Sequence, residues 1–263
     1  MTLSLYEHFI EETKMKLSQD DRFIALLAGG SMLKGTMDEY SDLDLVLVYE
    51  PEYRETIMTE RIQIAERLGS LLSGFTGEHV GEPRLVICLY GPPPLHVDLK
   101  FVTPSELEQR IENPLILWER GSEAVRRMRN TQPSYPELNV QWIEDRFWVW
   151  VHYGATKLGR GELFEFIDLI TYIRRAVLGP MIATIHGQQP NGVRKLEFFA
   201  AKVTEELVKT IPLHHAESCY QSLLTSIQIY KRLRSDFQDL HLRREAESVA
   251  VDYLNEVFSS LKR

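Results

Sequence analysis

The chain has 263 residues, 44% of them hydrophobic and 26% charged, with a formal net charge of −8. That is enough apolar content for one large core or two small ones, and the wrong sign for a general nucleic-acid binder, which usually presents a basic surface. Cys88 and Cys219 are too few and too far apart for a disulfide framework or a thiolate zinc site; no apolar run is long enough for a bilayer, and the opening MTLSLYEHFIEETKMKL carries acids and lacks a signal-peptide core, so the expectation is a cytoplasmic protein with no membrane and no nucleic acid among its partners.

In chain order, Leu5, Phe9, Thr13 and Leu17 form one stripe of an amphipathic helix. RFIALLAG reads as a buried strand ending in glycines, and DLDLVLVYE as a second strand. YRETIMTERIQIAERLGSLLSGF has helical periodicity with Gly near its end. EPRLVICLYG and LHVDLKFVT read as two strands joined by GPPP, whose prolines cannot donate ladder hydrogen bonds and so mark the turn. Residues 1–135 therefore predict a mixed sheet flanked by helices. The composition changes across RNTQPSYPELN, and residues 136–263 contain no convincing strand pair. Five segments fit helices there: NVQWIEDRFWVWVHYGATKLGRG, ELFEFIDLITYIRRAVLGPMIATIHG, VRKLEFFAAKVTEELVKT, AESCYQSLLTSIQIYKRLRSDF and EAESVAVDYLNEVFSSLK. The expected fold is α/β (α+β): an N-terminal domain with a mixed sheet and a C-terminal helical bundle.

The chemistry concentrates in LLAGGSMLKGTMDEYSDLDLVLVYE. Alternate residues of a strand share a face, so Asp42 and Asp44 point one way while Leu43, Leu45 and Leu47 point the other. The leucines can enter a core. Two carboxylates on one face disfavour each other's ionised form and call for a cation or solvent. LHVDLKFV repeats the arrangement, with Asp98 on the polar face between His96 and Lys100. If the two strands are neighbours, Asp98 joins Asp42 and Asp44. Three carboxylates suit Mg²⁺, a hard cation that keeps water and phosphate oxygens in its shell, and two ions can share such a cluster. The turn Gly29-Gly30-Ser31 adds a place where backbone N–H groups and a hydroxyl approach an anion.

Gly-Gly-Ser, ten residues, Asp-Leu-Asp-Leu, then a separate His-Val-Asp-Leu-Lys-Phe resembles the signature of the DNA polymerase β-like nucleotidyltransferase superfamily. The resemblance implies two Mg²⁺, ATP or another nucleoside triphosphate as co-substrate, and transfer of a nucleotidyl group to a hydroxyl. It implies nucleotide contacts at Gly30 and Ser31, and metal ligands at Asp42, Asp44 and Asp98. Relatives with small acceptors often carry Arg directly after the Ser. Here the residue is Met32, which leaves Lys34, or a basic residue of the second domain, to supply that charge.

The segment DRFWVWVHYGATKLGRGELFEFIDLITYIRRAVLGPMI resembles the helical domain of aminoglycoside (streptomycin) 6-adenylyltransferases. This implies a substrate-binding role for residues 136–263, a cationic small-molecule acceptor, and kinship with antibiotic-resistance enzymes, with the physiological role itself left open. The resemblance also places an acid thought to be the general base at the Ile-Asp pair, hence Asp168. Glu144 and Asp145 stand in reserve, and Glu162 and Glu165 are candidates for holding acceptor amines. Lys157 and Arg160, at a helix end, are candidates for the triphosphate, one as a point charge and the other as a fork; they serve equally as solvated cations at the negative end of a helix dipole. Trp142, Trp148, Trp150 and Tyr153 read mainly as packing. Two other readings keep part of this chemistry: the same transfer to a lincosamide, a metabolite or a protein hydroxyl, and a nucleotide-binding regulatory protein without turnover.

Overall fold

A computed structural model describes residues 3–262 of the chain. They form two compact units, Met1–Pro136 and Glu137–Arg263.

The first unit is built on a six-stranded mixed sheet in the order β3-β4-β5-β2-β1-β6. The strands are β1 (Phe23–Ala28), β2 (Leu43–Tyr49), β3 (Leu71–Gly77), β4 (Glu82–Tyr90), β5 (Leu95–Val102) and β6 (Leu115–Glu119). β2 and β5 run parallel with Leu43 opposite Val97, Asp44 opposite Asp98 and Leu45 opposite Leu99; every other pairing is antiparallel. Leu43, Leu45 and Leu47 are buried with Val97, Leu99 and Phe101 in the main core. Helices α1 (Leu3–Ser18) and α3 (Arg54–Leu68) cover that face. The predicted stripe of α1 is the buried one: Phe9, Thr13 and Leu17 are 8%, 0% and 2% exposed.

The opposite face explains where the carboxylates end up. Residues 44, 46 and 48 share it with 98, 100 and 102 by the period of two. At the far end Val48 and Val102 are buried with Leu107 and with Ala124 of α4 (Glu123–Arg129). At the near end the cover stops, and Asp44 and Asp98 are half-buried. The sheet is thus sealed along one face and open at one corner of the other.

Three departures from the sequence reading lie in this unit. The helix predicted through Phe75 ends at Leu68, because Gly69 leaves the helical region (φ −172°, ψ −168°) and Leu71 starts β3. β6 and α4 were not predicted at all; β6 is an edge strand whose five residues are all partly exposed, so it lacks a buried face to produce a pattern. Asp42 lies just before β2 rather than within it.

An ionic cluster ties β4 to β5. The Arg84 guanidinium (2.7 Å), with Lys100 (2.9 Å) adding to it, holds the Glu82 carboxyl at about 2, below its ordinary 4.5. A carboxyl depressed by folding stabilises the native state above its unfolded pKa, and that contribution is lost as pH falls toward the folded one. Glu82→Gln is therefore expected to lower the urea midpoint at pH 7 and to shrink the drop between pH 5 and pH 2.5. An unchanged drop would show that Glu82 does not contribute to the acid sensitivity.

The second unit contains helices and no strand among its described residues: α5 (Val140–Gly159), α6 (Leu163–Ile173), α7 (Gly179–Ile185), α8 (Leu196–Phe199), α9 (Ala201–Val208), α10 (Ala216–Arg234) and α11 (Arg244–Leu261). Its core includes Phe147, Val151, Phe166, Ile170, Leu223 and Tyr230, with the Phe147 and Tyr230 rings stacked 3.8 Å apart. The long segment read as one helix from Glu162 to Gly187 is two, joined by a π-helical turn at Arg174–Leu178; Pro180 in the first turn of α7 has no N–H to continue the α ladder. The segment 193–210 is likewise two helices, parted at Ala200.

Candidate active site

The turn after β1 is organised around Asp44. Gly29 is extended (φ −119°, ψ −157°) and its N–H donates to the Asp44 carbonyl at 2.9 Å, which ties the turn to β2. Gly30 has φ +59°, a region that L side chains rarely adopt. A Cβ on Gly30 would also overlap the Asp44 carboxylate. Glycine is required here twice, once by the backbone and once by the acid. The Gly30 N–H donates to Glu112 Oε1 at 3.0 Å, and the Ser31 hydroxyl oxygen is buried without a hydrogen-bond partner among the described residues. Four-residue α2 (Gly30–Leu33) follows.

Asp98 lies beside Asp44 on the neighbouring strand. Its side chain is 24% exposed and meets His96 Nε2 at 3.1 Å. Burial pushes the Asp98 carboxyl up, His96 opposes that, and the charge of Asp42 adds to it, which places Asp42 within electrostatic reach. The donor set is hard and anionic, the chemistry that Mg²⁺ takes. Among the described residues no group of three His, Cys, Asp or Glu side chains is gathered as a metal cluster. Asp98 has His96 as its hydrogen-bond partner. The backbone alignment and the burial of Asp98 fit a divalent cation; the side chains would have to converge on it.

Lys34 is exposed at the end of α2 and forms no ion pair with the described residues. Met32, the residue that stands where relatives often have Arg, packs against the main core of the unit, so that position presents no charge.

In the second unit, Lys157 is buried at the end of α5. Its ammonium bonds Glu162 at 2.6 Å and Glu165 at 2.8 Å, lies 5.0 Å from the centre of the Tyr153 ring, and is pushed up in pKa chiefly by Glu162 and then Glu165. The Tyr153 hydroxyl donates to Glu165. The sequence suggested Lys157 for a triphosphate and the two glutamates for acceptor amines; here they bind each other. The link is Gly161, whose φ of +70° turns the chain so that Glu162 and Glu165 face back along α5. Arg160 is exposed, 4.0 Å from Glu162.

Asp168 lies on the exposed face of α6 and has no hydrogen bond or ion pair with the described residues. Arg174, the neighbour that could have neutralised it, is used elsewhere, donating to the Thr210 carbonyl at 2.6 Å. Asp168 lines a cavity of about 740 Å³ with Leu138, Tyr172, Arg175, Pro190 and Asn191, a size ordinary for a small-molecule site. The Tyr172 ring meets Trp150 at 5.2 Å and Trp150 meets Trp142 at 5.7 Å, so part of the aromatic cluster read as packing leads to this wall.

The two reserve acids are committed. Glu144 is fully buried; it accepts from the Tyr230 hydroxyl (2.5 Å), Arg234 (3.2 Å), Trp148 Nε1 (3.2 Å) and the Arg243 backbone N–H (2.8 Å). Asp145 pairs with Arg243 at 2.8 Å. The residue that sequence reasoning missed is Glu112. It stands alone in RIENPL, with no motif, and its contact lies 82 positions away in the chain.

Residues 10–113 match the family model described as nucleotidyltransferase domain, a span that holds the turn, all three aspartates and Glu112. A search of curated proteins finds no match. Among solved structures, the chain is similar to an aminoglycoside 6-adenyltransferase from Bacillus subtilis, at 18% identity and TM-score 0.42, covering 95% of this chain and 97% of that one. It is similar to a nucleotidyltransferase-like protein from Exiguobacterium sibiricum at 11% identity and TM-score 0.34, covering 85% and 74%. A CCA-adding enzyme in complex with CTP matches at 12% identity and TM-score 0.33, covering 95% and 68%. No helix among the described residues is long and apolar enough to cross a membrane.

Proposed function

We propose that this chain, whose residues 10–113 match a nucleotidyltransferase domain model, is a nucleotidyltransferase of the DNA polymerase β-like superfamily that moves AMP from ATP to a hydroxyl of an aminoglycoside-like small molecule and releases pyrophosphate. The observation that carries the reading is the corner where Asp44 and Asp98 lie side by side on parallel strands and the Gly30 turn is shaped around the Asp44 carboxylate.

Asp42, Asp44 and Asp98 would hold Mg²⁺, which when bound neutralises charge on the triphosphate. Gly30 N–H and the Ser31 hydroxyl are donors for its oxygens. Asp168 is the acid assigned to the acceptor: without an ion pair among the described residues and in a cavity, it takes the proton of the attacking hydroxyl. That oxygen bonds to the α-phosphorus as the bond from phosphorus to the pyrophosphate oxygen breaks. The same carboxylate, which lines the cavity with Tyr172, the apolar Leu138 and Pro190 and the cation of Arg175, is the acid offered to a cationic ring-shaped acceptor. Catalysis of this kind rests on position and charge more than on covalent chemistry.

The test is incubation of the protein with ATP, Mg²⁺ and a panel of aminoglycosides, followed by mass spectrometry. The expected result is one AMP added to at least one member, and none when EDTA is present. Adducts only with lincosamides, a metabolite extract or protein hydroxyls would move the acceptor and keep the chemistry. Nucleotide binding with no adduct on any acceptor would favour the regulatory reading, for which Met32 in place of Arg is the supporting feature.

A further inference from the structure

We propose that Glu112 is a built-in competitor for the phosphate position, its carboxylate holding the Gly30 N–H until a triphosphate displaces it; this rests on the nucleotidyltransferase reading of the same turn.

The Gly30 N–H donates to Glu112 Oε1 at 3.0 Å, and a Cβ placed on Gly29 would come within 3.2 Å of the same oxygen. The carboxylate therefore lies against both glycines, the surface that a phosphate oxygen has to approach. Asp44 flanks the same pair, its Cβ 3.8 Å from that position on Gly29 and its carboxylate against Gly30. Two acids thus share one small turn, which a purely supporting contact does not require, since a neutral Gln accepts the same hydrogen bond. An N–H given to a carboxylate is not available to a phosphate, and a negative charge left at that spot opposes a triphosphate. The hydroxyl of Ser31, next in the chain, is buried and unpartnered among the described residues, so the turn has one donor filled by Glu112 and one left over.

The loop behind Glu112 is fixed. Arg110 donates to Asn113 Oδ1 at 2.7 Å and to the carbonyls of Leu107, Met128 and Thr131 at 3.1, 2.8 and 2.7 Å. Position 112 is thus flanked by the Arg110–Asn113 side-chain bond, and the Arg110 carbonyl accepts from the Ser134 N–H at 2.9 Å, so exchange with a phosphate calls for rotation of the Glu112 side chain on a braced turn. In the absence of nucleotide the contact satisfies a backbone donor that would otherwise lack a partner.

The experiment measures binding of a non-hydrolysable α,β-methylene ATP analogue with Mg²⁺ to the full chain by calorimetry. Glu112→Ala frees the N–H and removes the charge, and is expected to bind about tenfold tighter than wild type, the scale of one charge-assisted hydrogen bond. Glu112→Gln keeps an acceptor oxygen without the charge, and is expected to gain about threefold. Melting curves with and without the analogue report whether each variant folds. Wild-type binding with Glu112→Ala equal or weaker would show a supporting residue and overturn the proposal, leaving the nucleotidyltransferase reading intact. If Glu112→Ala does not fold, Glu112→Gln decides by the same criterion. No binding by folded wild type and folded variants would overturn both.

Discussion

Gly30→Ala is expected to reduce nucleotidyl transfer at least ~10²-fold, a loss of the size that small misplacements of a reacting group produce, and to lower stability by about 1–3 kcal/mol, the cost of a strained backbone. Two independent effects meet at this atom. The backbone is at φ +59°, and the new methyl would overlap the Asp44 carboxylate. Either the turn opens or the Asp44 carboxylate moves from its present position against Gly30. Gly29→Ala is the matched control: its backbone is extended, and its methyl would press only on the end of the flexible Glu112 side chain at 3.2 Å. It should lose far less activity. Asp44→Asn, which keeps the shape and removes the charge, should match Gly30→Ala in activity and not in stability. Rates from the AMP-transfer assay and urea midpoints for the three variants check this. Equal losses for Gly29→Ala and Gly30→Ala would mean that the Gly30 contact with Asp44 is not what the glycine is for.

What the sequence discloses of this corner follows from the period of two. Alternation of leucine and aspartate assigns the faces of β2 and β5, and because both strands bury their leucines, parallel register brings Asp44 level with Asp98. Edge elements are not legible in the same way. β6 has no buried side to create a pattern, and β3 was absorbed into the helix before it because LLSGF carries helical spacing. The side-chain pairings are hidden for a different reason. Whether Lys157 faces a ligand or Glu162 and Glu165 depends on the reversal at Gly161, and the Glu112 contact depends on closing a loop over 82 residues. Local pattern carries no information about either. The period of 3.6 does place Asp168 among apolar neighbours on α6, but the cavity beside it is lined in part by the π-helical turn and the 190–192 loop, which local pattern does not bring together.

The second large effect is on folding. Glu144→Gln is expected to destabilise the protein by about 3–5 kcal/mol, the cost of breaking a buried ion pair from one side. Glu144 is 0% exposed and Arg234 is 8% exposed, and they meet at 3.2 Å. The carboxylate also accepts from Tyr230, Trp148 and the Arg243 backbone, so both of its oxygens are used. An amide can replace only part of that set, because its NH₂ group turns a donor toward donors. Arg234 would retain Glu247, at 2.5 Å, which holds the loss near the lower end of the range. Asp145, one position along, pairs with Arg243 at the surface, and exposed ion pairs contribute little, so Asp145→Asn should scarcely move the midpoint. The pair of variants also separates two roles for this stretch of α5. A general base at Glu144 would lower kcat in the Gln variant while leaving the unfolding midpoint in place; a buried structural anion does the reverse at temperatures where the variant stays folded. The geometry predicts the second pattern, and an unfolding midpoint equal to wild type would contradict it.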